Sequence, residues 1–167
     1  MKKEITIEEL QKVETDGFIR LFKYMEEVGK LIGRDKALQI LEDVTTRKRL
    51  EWLSKNKNRL NLEGNILEKA YKVFYQEYLG LTPDDLEIVE KSERRLVIRS
   101  RNYCPVLEAC KALGLERFDT REICKKVYER PVQIFLEQIS PRIRFSRNYD
   151  RIRPYAEYCE EIMELED

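Results

Sequence analysis

The residues of this chain best suited to chemistry are four cysteines, Cys104, Cys110, Cys124 and Cys159, all in its second half. Histidine is absent from all 167 residues. That removes the commonest general base, the usual haem ligand and the imidazole members of zinc sites. No haem is expected, and any reaction must draw on Cys, Asp, Glu, Tyr, Lys or Arg. Cys104 is followed at once by Pro105, a residue suited to the first position of a helix. A thiol at a helix start lies in the positive end of the helix dipole, which lowers its pKa and makes it a better nucleophile and metal ligand. The bland alternative is a small buried residue at a tight turn. The spacing C-x5-C-x13-C-x34-C contains no C-x2-C pair, so zinc-ribbon and zinc-knuckle patterns are missing. Helix ends and strands still bring distant cysteines together. Two readings therefore stay open: scattered core thiols, or a thiolate zinc site built from Cys104, Cys110, Cys124 and Cys159.

Two basic stretches carry a second kind of chemistry. Arg47, Lys48 and Arg49 with Trp52, Lys55, Lys57 and Arg59 combine cations with an aromatic, as nucleic-acid contacts do, although a solvated helix face explains the same pattern more simply. Arg142, Arg144, Arg147, Arg151 and Arg153 suit bidentate recognition of an anion; the alternative is a charged outer strand face balanced by the acidic C-terminal end. Lys plus Arg and Asp plus Glu both number 32. With no net field to gather polyanions, neither nucleic acid nor an anionic membrane is an expected partner.

The elements that must position these residues read as follows. Apolar residues from Leu10 to Ile32 recur at helical spacing, with a weak point at Gly17, and Gly33 ends that helix. Leu38 to Leu53 predict a second helix to about Lys55, with Thr45-Thr46 as its weakest point; Asn65 caps a third helix carrying Leu67, Ala70, Tyr71, Phe74 and Tyr78. At Leu86 the period changes from helix to strand: residues 86–91 and 94–100 form a hairpin. A short helix follows Pro105 to Gly114, and Asp119-Thr120 opens a longer one to about Gln138, in which Pro131 should cause a kink or break. Arg142 to Ser146 and Tyr155 to Leu165 supply two further strands. The order implies a single α+β domain over residues 1–167, helical to about residue 80 and sheet-containing from about 81. Its architecture is helices packed with a four-stranded antiparallel sheet and two inserted helices. No apolar run approaches a membrane span and the start lacks an apolar signal core, so a cytoplasmic protein is expected.

Cys104-Pro105, the stretch Lys111-Ala112-Leu113-Gly114-Leu115, Cys124 inside a helix, Pro141-Arg142-Ile143-Arg144-Phe145 and Cys159 near the end together resemble the C-terminal half of the L-2-amino-thiazoline-4-carboxylic acid hydrolase-like family. The resemblance covers about residues 86–165. That family is similar in outline to 4-vinyl reductase ligand-binding domains and to small subunits of the transport protein particle, which implies the same α+β architecture. The hydrolases open a thiazoline ring at a carbon–sulfur bond, and the resemblance places Cys104, Cys124 and Cys159 on recurrent cysteine positions as candidate catalytic residues. Cys110 has no such counterpart. Two departures stand out: Val127 where the family tends to carry an acid, and Pro154-Tyr155-Ala156-Glu157 where it tends to carry a Gly-Asp turn.

The expectation is a small-molecule-binding protein, with ligand contacts from Tyr103, Arg142 and Arg144 and a cysteine-lined site able to hydrolyse a small sulfur- or nitrogen-containing compound. Whether it is an enzyme stays open. The alternatives are a non-catalytic ligand-sensing domain and a protein-interaction or assembly module, and the long amphipathic helices also suit a homodimer.

Overall fold

Local capping chemistry sets the helical half. Thr6 accepts a hydrogen bond from the Glu9 amide while Glu9 reaches back to the Thr6 amide, opening α1 (Ile7–Ile32), and this pair satisfies two donors that a helix start leaves free. The computed structural model describes residues 4–60 and 62–167. α1 runs through Gly17 without interruption and ends at Gly33, whose φ of 91° is a conformation glycine adopts without a Cβ penalty. α2 (Arg34–Asn56) folds back against α1. The Thr45 and Thr46 hydroxyls donate to the carbonyls of Leu41 and Glu42, so the weak point of α2 stays helical. A second capping box, Asn65 with Glu68, starts α3 (Ile66–Tyr71), which widens into a π-helical segment, Lys72–Tyr78.

The hairpin follows as β1 (Leu86–Lys91) and β2 (Arg95–Ser100). Next come α4 (Pro105–Leu113), α5 (Thr120–Ile123), a second π-helical segment (Cys124–Glu129), α6 (Arg130–Glu137), β3 (Ile143–Asn148) and β4 (Cys159–Leu165). The fold is α+β, with a four-stranded antiparallel sheet in the order β1-β2-β4-β3. At Pro131, where a kink or break is expected, the helix is not regular: the backbone widens to π geometry just ahead of the proline and resumes as α6. One expectation needs correction. β4 begins at Cys159 rather than Tyr155, because residues 153–158 are spent on turns. Among the described residues no helix is long and apolar enough to cross a membrane.

Side chains alternate across the strands, and the register therefore fixes what each sheet face carries. On the outer face Glu164 stands between Arg95 and Arg144, and Glu160 between Arg99 and Asn148; Arg99 donates to Glu160 at 3.0 Å. On the inner face Leu96, Met163 and Phe145 form one apolar row, but the next rows are Ile98, Glu161 and Arg147, then Ser100 and Cys159. One end of the covered face is thus polar. The apolar end packs against α3, its π extension and α6 in a cluster containing Phe74, Tyr75, Phe135 and Met163. A second cluster joins α1, α2, α4 and α5 through Phe22, Leu38, Cys110, Phe118 and Ile123. Over the polar end of the sheet the two clusters part.

Candidate functional site

A cavity of about 650 Å³ occupies that gap, within the range of small-molecule sites. α1 contributes Phe18 and Leu21, α2 contributes Leu41, Thr45 and Arg49, and the sheet contributes Ser100, Arg147, Cys159 and Glu161. Both π-helical segments face it, one through Phe74, Tyr75 and Tyr78 and the other through Cys124 and Tyr128. A π turn inserts an extra residue into a helical turn and re-aims the side chains around it, and such turns recur at functional sites. The exposed Glu14, Val44, Lys48 and Leu79 mark the mouth.

Cys104, Cys124 and Cys159 all line this cavity. Cys110 does not: six residues along α4 from Cys104, it points into the second cluster and is fully buried. Among the described residues no group of three or more thiols and carboxylates is arranged to hold a metal ion. The four-thiol zinc shell is therefore not assembled. Cys104 does precede α4, but burial pushes its thiol pKa up, against the opposing pull of the Leu107 amide and of Arg153. Burial likewise raises Cys124 to about 12, with Arg147 offsetting it only in part, and raises Cys110 to about 12. The helix start is present, yet desolvation outweighs it, which favours the buried thiol at a turn over the activated thiolate, the two readings that the sequence leaves open for Cys104.

The expected ligand contacts lie elsewhere. The Tyr103 hydroxyl meets the Thr15 hydroxyl and donates to the Gln11 carbonyl at 3.1 Å, tying its loop to α1 outside the cavity. Arg142 donates to the Glu166 carbonyl, and Arg144 bridges to the Glu166 carboxylate at 2.5 Å. Both are exposed, because alternation along β3 turns residue 144 outward while Ile143, Phe145 and Arg147 turn inward.

The basic residues on the cavity wall are Arg49, Arg147 and Arg153, with Lys48 at the rim. Arg147 donates from Nε to one oxygen of Glu161 at 2.6 Å, and Tyr75 donates to the other at 2.5 Å. Burial alone would lower the Arg147 pKa, but the Glu161 carboxylate overrides it and holds the guanidinium above its ordinary value. Burial raises Tyr75 well above its ordinary value, reinforced by the same carboxylate. Both Glu161 oxygens are thereby engaged. Arg153 donates to the Asn102 carbonyl at 2.6 Å and lies 3.5 Å from the Cys159 sulfur. Arg49 sits over the rings of Phe74 and Tyr78 at 5.5 and 5.7 Å. Desolvation lowers its pKa, and among the described residues no carboxylate pairs with it.

Four buried side-chain polar atoms have no hydrogen-bond partner among the described residues: Nε and Nη1 of Arg49, Oη of Tyr128 and Nη1 of Arg147. All belong to the cavity wall. No family model, curated protein or solved structure matches the chain. Geometry alone must therefore be read for function. Buried donors are nearly always satisfied, and three cavity-lining side chains with unused donors, two of them cationic, carry the chemistry that anion recognition needs. Four cations against two carboxylates line the cavity, which adds a field of the same sign.

Reasoning from sequence left Arg49 and Arg147 within basic clusters and missed Tyr128 as a site residue. The signals were there. Arg49 extends the inward α2 stripe of Leu38, Leu41 and the half-buried Thr45, and Arg147 shares parity with Ile143 and Phe145. A charge on an inward position asks for a partner.

Proposed function

We propose that the protein binds a small organic anion, a carboxylate with a compact apolar or aromatic body, in the cavity between its two cores. The observation that carries this reading is the set of four unpartnered buried polar atoms on Arg49, Tyr128 and Arg147. A carboxylate there would accept charge-assisted bonds from Arg49 and Arg147 and a further bond from the Tyr128 hydroxyl. Phe18, Phe74 and Val106 would cover the apolar body. Hydrogen bonds to charged groups are worth about 1.5–3 kcal/mol each, enough for two or three to set a preference for the anion over its neutral amide.

A hydrolase acting on such a carboxylate is the second reading, favoured by the three thiols that line the same cavity. The elevated thiol pKa values of Cys104 and Cys124 and the lack of histidine favour binding over attack by a thiolate. Calorimetric titration with a panel of small carboxylates, a thiazoline carboxylate among them, and with their amides separates the readings. The expected result is saturable binding of one or more acids and none of the matching amides, without product by chromatography. Ring-opened product would establish the hydrolase. Equal binding of acids and amides, or binding of neither, would refute the anion site.

A further inference from the structure

α1 spends Phe18, Phe22 and Met25 on the core, yet much of its apolar surface lies outside. Positions 10, 14, 17, 21, 24, 28 and 31 step alternately by four and three residues, the spacing of a helix-pairing seam. Leu10, Leu21, Tyr24, Val28 and Leu31 on that seam are exposed, Tyr24 at 70% and Leu31 at 84%. From α2, Ile40 and Val44 are also exposed, and Leu21 and Val44 both line the cavity.

The total surface points the same way. The chain exposes 10306 Å², whereas a compact monomer of 20.1 kDa exposes roughly 8,700 Å². The excess of roughly 1,600 Å² is about twice the area each partner gives up in a standard interface, which leaves ample surface even after the cavity wall is allowed for.

We propose that this face is a homodimer interface in which α1 packs antiparallel on α1 of a second copy. Charge selects both the partner and the direction. Arg20 and Glu27 are exposed and flank the seam one heptad apart. Glu27 has only its own neighbour Lys30, at 2.6 Å, and Arg20 has no ion pair among the described residues. A two-fold axis between them sets Arg20 against the partner's Glu27 and repeats the pair by symmetry. A parallel arrangement would leave Arg20 facing Met25 of the partner. The antiparallel operation also packs Leu21 against the partner's Tyr24, so that the partner's Tyr24 reaches the rim of the cavity. The interface stands whatever the cavity binds.

Sedimentation equilibrium of the full chain at about 1–100 μM tests it. The expected mass is twice 20.1 kDa. The double variant Tyr24→Glu/Leu31→Glu is expected to sediment as a monomer with an unchanged circular dichroism spectrum. Because apolar-to-acid changes carry a folding risk, a charge exchange gives a second readout. Arg20→Glu is expected to raise the dimer dissociation constant at least ~10-fold through like-charge contact with Glu27, and adding Glu27→Arg to restore it. A wild-type monomer throughout that range, a dimer of unchanged strength in the Tyr24→Glu/Leu31→Glu variant, or a failure of the double exchange to restore association would overturn the proposal.

Discussion

Replacing Arg49 with Met is expected to make the protein more stable and to abolish anion binding. Arg49 is 8% exposed, and two of its donors, Nε and Nη1, have no partner among the described residues. Each buried donor left unpaired costs about 1–3 kcal/mol. Against this, the guanidinium gains from its approach to Phe74 at 5.5 Å and Tyr78 at 5.7 Å, about 0.5–2 kcal/mol per contact. Solvent reaching the cavity through its mouth offsets a further part of the cost. Met keeps an unbranched stem of similar length and packs well beside aromatic rings. The balance favours the variant by about 1–2 kcal/mol, a rise in melting temperature of about 2–8 °C for a chain of this size. Differential scanning calorimetry without ligand reads the first effect, and titration with the tightest carboxylate reads the second, an expected loss of at least ~10-fold in affinity. The reasoning fails if Arg49→Met is destabilised by more than about 1 kcal/mol or binds as tightly as the wild type. A residue kept at a cost to stability is expected to serve a ligand.

Four further outcomes follow. The Cys124 thiol is raised from 9.0 to about 12. Its contribution to stability is therefore complete below pH 9.0 and is lost as the pH climbs toward 12, so denaturant titrations should show an alkaline decline that Cys124→Val flattens; an identical decline in the variant would contradict this. At about pH 8 only about one Cys124 in ten thousand is ionised, and mass spectrometry should find it alkylated far more slowly than free cysteine. Burial works to raise the Glu160 carboxyl, but bonds from Asn148 and Arg99 and the charge of Arg151 hold it below its ordinary 4.5. Its contribution is present above pH 4.5 and lost as the pH falls through the lower folded value. Glu160→Gln should thus cost stability at about pH 7 and little at about pH 3, as read by urea denaturation. Gly17→Ala should stabilise by about 0.5–1 kcal/mol, since a Cβ there meets nothing within 4 Å and α1 runs straight through it; a lower melting temperature would show that the position needs glycine.

Local chemistry explains which parts of the fold can be read from sequence. Gly33, the Asn65 cap, the change of period at Leu86 and the Asp119 cap are each decided within a few residues, and the elements they bound stand where the spacing puts them. Pro131 marks an irregularity in its helix, but the form it takes, a π-helical segment over Cys124–Glu129, has no signal in the sequence. The site was harder to read. Cys104, Cys124 and Cys159 draw attention by rarity, and they line one cavity, but the burial that raises the pKa values of Cys104 and Cys124 exists only after the elements around them converge. Arg142 and Arg144 lie in a motif and look functional, whereas strand parity turns Arg144 away and leaves Arg147 inside. Arg49 sits in a run of three cations, where nothing local separates the one that points inward from its neighbours. Tyr128 has no signal of its own, because an unpaired hydroxyl is a property of the assembled cavity.

The most direct test of the anion site is a crystal structure of the protein with the tightest-binding carboxylate from the titration panel. The account predicts the carboxylate oxygens within about 3 Å of Arg49 Nε or Nη1, Tyr128 Oη and Arg147 Nη1, with the apolar body toward Phe18 and Val106. A ligand bound with its carboxylate at the mouth on Lys48, or seated outside the cavity with those four atoms still unpartnered, would contradict it.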